Sequence, residues 1–93
     1  MSGCRIIGNE EKGIVIYALA DMAGDDDDPQ VRAEAEDLFF YMRTHTVIPA
    51  DKMKLAYDAI DRHFENALRY HSDDENYLSA ILDVRFRIYL HLP

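Results

Sequence analysis

The chain is poor in cysteine and in basic residues. A single cysteine, Cys4, stands among its 93 residues, which excludes an internal disulfide framework and a zinc site built on cysteines. The sequence contains ten Lys and Arg residues and 18 Asp and Glu residues, so the formal net charge is -8. Phosphate contacts require clustered Lys and Arg, and this balance therefore argues against direct nucleic-acid binding.

Long apolar runs are also missing. The longest, residues 14–20, is far below the roughly 20 residues that span a bilayer, and nothing at the start of the chain has the pattern of a signal peptide. We therefore expect a cytoplasmic protein without membrane contact. With 48% hydrophobic residues, the chain should fold as a single domain over residues 1–93, with residues 1–8 as a flexible arm.

Motifs for catalysis and cofactor binding are absent from the sequence. It contains no glycine-rich phosphate loop, no nucleophile elbow and no H-E-x-x-H. His63 and His71 lie about two helical turns apart, too far to hold one metal ion unaided, and all four histidines are interpreted as surface or half-buried residues. We predict no enzymatic activity, no metal site and no cofactor.

The first half of the sequence predicts two helices. Asn9 is the expected N-cap of the first helix, and Gly24 is expected just beyond its end. Asp28 followed by Pro29 is typical of the start of a second helix, which should end near residues 44–45. Residues 14–19 are apolar enough to form a buried strand instead, but the capping signals favour a helix.

The second half predicts two more helices. An apolar stripe at helical spacing marks the third: Met53, Ala56, Tyr57, Ile60, Phe64, Ala67 and Leu68. Ser72 and Glu75 form a capping box for the fourth. Residues 84–92 also alternate with period two, and a helix there places Arg85 on the apolar face. We predict an all-α, four-helix up-and-down bundle; the alternative is an α+β fold with a short N-terminal hairpin and a C-terminal strand.

Acidic residues are concentrated in the first half of the chain. Residues 1–45 carry ten acids against four bases, and four consecutive aspartates begin at Asp25. We expect this run to be exposed at a helix junction, where it could dock on a basic surface; the alternative is a solvated loop that caps a helix. The predicted partner-binding residues are Asp25, Asp26, Asp27, Asp28, Glu34, Glu36 and Asp37, with Phe40 and Tyr41 as neighbouring anchors.

Several large apolar residues lie off the predicted core stripes. They are Phe40, Leu55, Phe86 and Leu90. A group of such residues, about one on each helix, indicates either a two-sided interior or an exposed contact patch. For a four-helix chain we favour the contact patch, used in a homodimer or in a tight complex with another protein.

These features favour a binding protein over an enzyme. A stripe of carboxylates can mimic spaced phosphates, accelerate encounter with a basic surface and lock it through Arg–carboxylate pairs. In size, charge and lack of catalytic motifs, the chain resembles the small acidic anti-defence inhibitors encoded by phages, such as anti-CRISPR proteins. We therefore predict an inhibitor that occupies a basic, nucleic-acid-binding surface of a larger protein. The alternative is a symmetric assembly subunit, or an antitoxin or adaptor, in which acidity only confers solubility.

Overall fold

Four helices follow one another along the chain in the computed structural model, which describes residues 8–92. They are α1 (Asn9–Asp25), α2 (Pro29–Thr44), α3 (Ala50–Tyr70) and α4 (Glu75–Tyr89). Each helix packs on its neighbours in sequence, and α1 also packs on α4, so the fold is an up-and-down bundle. The described residues contain no strand. The all-α prediction is confirmed, and the alternative strands at residues 14–19 and 84–92 are wrong.

The beginning of α1 differs from the sequence prediction. Gly8, not Asn9, is the N-cap. Because glycine has no side chain, α1 begins without a side-chain capping hydrogen bond. The rest of the predicted arm, including Cys4, lies outside the described residues. The helix also continues through Gly24, because the Asp26 N–H donates to the Met22 carbonyl at 3.1 Å. The helical hydrogen bonding therefore extends past the glycine that was expected to end it.

The starts of α2 and α4 depend on aspartate caps. The Asp28 side chain accepts a hydrogen bond from the Gln30 N–H at 2.9 Å, with Pro29 in the first helical turn, as predicted. In α4 the cap is Asp74, which accepts from the Tyr77 N–H at 3.1 Å. The prediction of Ser72 as the cap is wrong, because the chain still turns there before the helical backbone begins.

The core runs along the bundle axis and draws on every helix. Its buried apolar residues are Val15, Leu19, Met22, Val31, Ala35, Leu38, Met42, Ile48, Met53, Ala56, Ala59, Ile60, Ala67, Ile81 and Ile88. Burial of each large aliphatic side chain contributes about 1.5–3 kcal/mol. Although α1 is apolar on most sides, no helix within residues 8–92 has the length and hydropathy needed to cross a membrane.

Arg85 is accommodated on the inner side of α4 without breaking the helix. Its Nε lies 3.2 Å from Asp61 Oδ1 on α3, and its guanidinium lies 5.5 Å from the centre of the Tyr57 ring. The carboxylate neutralises the charge and the ring packs against the planar group. These contacts explain why an arginine is tolerated at a position that the sequence pattern makes apolar.

Candidate functional site

Asp26, in the middle of the acidic run, is buried. Its side chain is 0% exposed, so the prediction that this residue is exposed is wrong. Oδ1 accepts hydrogen bonds from the Asp28 N–H at 2.7 Å and from Asn66 Nδ2 at 2.9 Å. Oδ2 lies 2.5 Å from His63 Nδ1. These donors offset the cost of removing a carboxylate from water.

The other members of the run remain exposed. Burial, together with the nearby charge of Asp25 at the end of α1, raises the pKa of Asp21. Asp27 Oδ2 lies 3.4 Å from His71 Nε2. Asp28 is exposed as well, but its side chain caps α2. Asp25 and Asp27 are therefore the members of the run that a partner could contact without disturbing a helix cap.

Two of the predicted binding residues on α2 face α3 or the connection to it. Glu34 forms an ion pair with Arg62. The Tyr41 ring stacks on His45, with ring centres 3.8 Å apart, and Lys52 Nζ lies 4.9 Å from its centre. Both side chains are engaged within the chain, and a partner would have to compete with these contacts.

The remaining predicted residues of α2 share its solvent-facing side, which we call the α2 outer face: Glu36, Asp37 and Phe40. All three are exposed, and Phe40 retains 53% of its surface. Glu36 and Asp37 precede Phe40 by four and three residues, so the two carboxylates flank the ring on one helix face. No ion pair joins either acid to a base among residues 8–92.

The four residues predicted to mediate self-association are all exposed, but they do not share one surface. Phe40 belongs to the α2 outer face, and Leu55 lies beside the groove between α2 and α3. Phe86 lies on α4 and Leu90 is the C-cap of that helix. Two more exposed residues of α4 continue their pattern. We call this set the α4 apolar stripe: Leu82, Phe86, Tyr89 and Leu90.

A buried polar chain links the α1–α2 loop to α3 and α4. His63 is 4% exposed, so its interpretation as a surface or half-buried residue is wrong. Its Nδ1 contacts Asp26, and its Nε2 lies 3.0 Å from the Tyr77 hydroxyl oxygen. Arg32 Nη1 also donates to the Asp26 carbonyl at 2.6 Å. Three parts of the bundle therefore meet at one imidazole, and we call the Asp26–His63–Tyr77 chain the polar lock.

Hydrogen-bond directions in the polar lock follow from its donors and acceptors. A carboxylate only accepts, so His63 Nδ1–H donates to Asp26; in the neutral imidazole, Nε2 then accepts from the Tyr77 hydroxyl. Burial raises the pKa of Tyr77 to about 12, and the charges of Asp21, Asp25 and other nearby aspartates act in the same direction. The phenol therefore keeps its proton and remains a donor near neutral pH.

The polar lock is better suited to orienting the loop and the helices than to nucleophilic catalysis. A carboxylate–imidazole–hydroxyl chain has the connectivity of a nucleophilic triad. The high pKa of Tyr77 opposes formation of a phenolate, however, so the third member is a weak nucleophile. Among residues 8–92, no group of three or more His, Cys, Asp or Glu side chains is arranged to hold a metal ion. The polar lock fixes the loop against two helices.

Sequence reasoning missed the polar lock because its members are far apart in the chain. One signal was available: His63 lies three residues after Ile60 and four before Ala67, so it belongs to the apolar stripe of α3. A histidine on a buried stripe requires polar partners. The sequence could not show that Asp26 and Tyr77, 37 and 14 residues away, would supply them.

A groove of about 410 Å³ opens between α1 and α4 beside the polar lock. Its walls are mostly apolar, with Ile14 on α1, Ile60 on α3 and Ile81 on α4. His63 and Tyr77 also line it, and two acids of α1 complete the lining: Glu10 and Asp21. The groove thus combines an apolar surface with polar groups supplied by three helices, an arrangement typical of ligand sites.

Comparisons with protein-family models, with curated proteins and with solved structures found no match to this chain.

Proposed function

We propose that this protein is a small acidic inhibitor that occupies a basic, nucleic-acid-binding surface of a larger protein, as do anti-defence proteins of the anti-CRISPR type. The observation that carries the proposal is the α2 outer face. There Glu36 and Asp37, neither of them in an ion pair with a base among residues 8–92, flank the exposed ring of Phe40. Carboxylates around an aromatic anchor match the pairing of Arg with carboxylates and rings at protein interfaces.

The net charge supports the same mechanism. At -8, the chain generates a negative field that steers a basic partner towards it at low ionic strength. Asp25 and Asp27 add exposed carboxylates at the bundle end that contains the α1–α2 loop. We assign final contacts to the α2 outer face and long-range attraction to the charge as a whole.

Two double variants of equal net charge test which acidic residues contribute to binding of the partner. The binding variant is Glu36→Gln with Asp37→Asn. The control is Glu65→Gln with Asp73→Asn, which removes two exposed acids of α3 and the α3–α4 turn and therefore has the same net charge. A partner would first be captured on the immobilised wild-type chain from cells of the natural host. Association rates and displacement of bound nucleic acid would then be measured at two ionic strengths.

We expect the binding variant to associate about tenfold more slowly at low salt and to displace nucleic acid poorly, because steering depends on charges close to the interface. The control should change the rate only slightly. A captured partner that binds no nucleic acid would contradict the proposal. So would equal effects of the two variants, since charge alone would then explain the attraction.

A second candidate function is supported by the α4 apolar stripe. Leu82, Phe86, Tyr89 and Leu90 retain 42%, 59%, 58% and 53% of their surfaces. Their spacing places them along one side of α4, where a second copy of the chain could cover them. On this alternative the protein is a symmetric assembly subunit, and its self-association should depend little on salt because the contact is apolar.

A further inference from the structure

The groove between α1 and α4 has an unequal distribution of charge. Two acids of α1 line it, and they are separated by 11 residues, which corresponds to about 16 Å along a helix. Asp21 lines the groove together with His63 and Tyr77, and its charge adds to burial in raising the pKa of Tyr77. Glu10 lies towards the other end of α1. Within the described part of the chain, no lysine or arginine lines the groove.

The negative charge at the Asp21 end is not neutralised by the polar lock. The Asp26 carboxylate is held by His63 and Asn66, and Asp27 contacts His71. Asp21 and Asp25, four residues apart on α1, repel each other, and no ion pair joins either of them to a base among residues 8–92. Even with a charged His63, two carboxylates at this end remain without a cationic partner among residues 8–92.

Tyr77 supplies an acceptor at the same end. Its hydroxyl hydrogen is directed to His63 Nε2 when the imidazole is neutral, so the lone pairs of its oxygen stay available. Burial raises the pKa of Asp21, as does the neighbouring Asp25 carboxylate. An arriving cation would relieve that repulsion between carboxylates.

The apolar part of the groove sets the shape of the ligand. Its volume of about 410 Å³ lies within the range of small-molecule sites. Small residues on both walls, Gly13 and Ala18 on α1 and Ala80 on α4, leave room above Ile60 and Ile81. An aromatic or alkyl body could lie there and be removed from water. The two acids in the lining, Glu10 and Asp21, disfavour fatty acids and other anions.

We propose that this groove binds a small amphiphilic amine, with its apolar body between α1 and α4 and its ammonium group between Asp21 and the Tyr77 oxygen. The site is separate from the α2 outer face, so it is independent of the inhibitor function proposed above.

A charge-matched series of probes tests the proposal on the full chain. Phenylbutylamine, phenylbutanol and phenylvalerate share one phenylbutyl body and differ in the charge of the head group. Binding would be measured by isothermal titration calorimetry and located by NMR chemical-shift changes. We expect the amine to bind about tenfold more tightly than the alcohol, as expected for an ion pair in a partly exposed site. The carboxylate should bind most weakly.

Variants locate the site and the charge. Asp21→Asn should reduce amine affinity to that of the alcohol, whereas Glu65→Gln, an exposed acid on α3, should leave it unchanged. Ala80→Phe should fill the groove and abolish binding of the amine and of the alcohol. Gly13→Leu fills the groove from α1, where an added Cβ meets nothing within 4 Å. This variant replaces Ala80→Phe in the test if thermal melts show that Ala80→Phe is misfolded. Equal affinity for the three probes, or amine binding unaffected by Asp21→Asn, would overturn the proposal.

Discussion

At the scale of single residues, Asp26 shows that one member of an acidic run can be structural while its neighbours are not. Asp26 is buried and accepts hydrogen bonds from a loop amide, from Asn66 and from His63, whereas Asp27 is exposed. We predict that Asp26→Ala lowers the free energy of unfolding by about 3 kcal/mol, because it leaves buried donors without acceptors. Asp27→Ala should change it by less than about 0.5 kcal/mol.

Urea denaturation of the two variants would check this prediction. Because both remove one aspartate from adjacent positions, they have the same net charge and isolate the effect of burial. Equal stabilities would contradict the polar lock.

Tyr77 gives a second prediction at this scale, concerning alkaline pH. Its pKa is raised from 10.0 to about 12 in the folded protein by burial and by nearby aspartates. Between these two values the folded state holds a proton that the unfolded state has released, so stability should fall as pH rises from 10 to 12. Ultraviolet titration should resolve one phenol that ionises at a higher pH than an ordinary tyrosine. Tyr77→Phe should remove that component, and its persistence would assign the late titration to another tyrosine.

At the scale of elements, α1 contains a glycine that its structure does not require. Gly13 lies within the helix, and an added Cβ there would meet no atom within 4 Å. We predict that Gly13→Ala raises the free energy of unfolding by about 0.5–1 kcal/mol, since alanine has the higher helix propensity. Gly24→Ala, in the last turn, should stabilise less. Chemical denaturation would measure both, and a destabilised Gly13→Ala would show that the backbone needs glycine there.

The helices could be predicted from local signals, but the polar lock could not. Asp28 and Pro29 defined the start of α2, and an apolar stripe defined α3, because these signals lie within a few residues of one another. The prediction that α1 ends at Gly24 was wrong. Glycine is only preferred just beyond the end of a helix, and here the helical hydrogen bonding continues past it. The burial of Asp26 depends on α3 and α4, and no pattern within its own segment encodes their position.

At the scale of the whole molecule, the two exposed surfaces lie on different sides of the bundle. In the up-and-down arrangement, α2 packs on α1 and α3, whereas α4 packs on α3 and α1. The α2 outer face and the α4 apolar stripe therefore project from diagonally opposite helices. A dimer formed through α4 would leave both acidic faces accessible, so self-association and binding of a basic partner are compatible in one protein.

Because the two surfaces lie on different sides, substitutions at Phe40 and at Phe86 should have different effects. Phe40 and Phe86 are exposed to similar extents, 53% and 59%, and both were predicted to mediate self-association. We predict that the wild-type chain has a mass near twice the 10.8 kDa of one chain by light scattering on a sizing column. Phe86→Glu should give a monomer, because it places a charge in the centre of an apolar contact.

Phe40→Glu should remain a dimer, because its ring lies among acids on the opposite side of the bundle, and a further charge there does not enter the α4 contact. The same variant should weaken binding of a basic partner, since it removes the aromatic anchor. Circular dichroism would establish that both variants retain the helical fold, as expected for exposed positions. A wild-type monomer at high concentration would refute dimerisation through α4, and the stripe would then be a surface for a different protein.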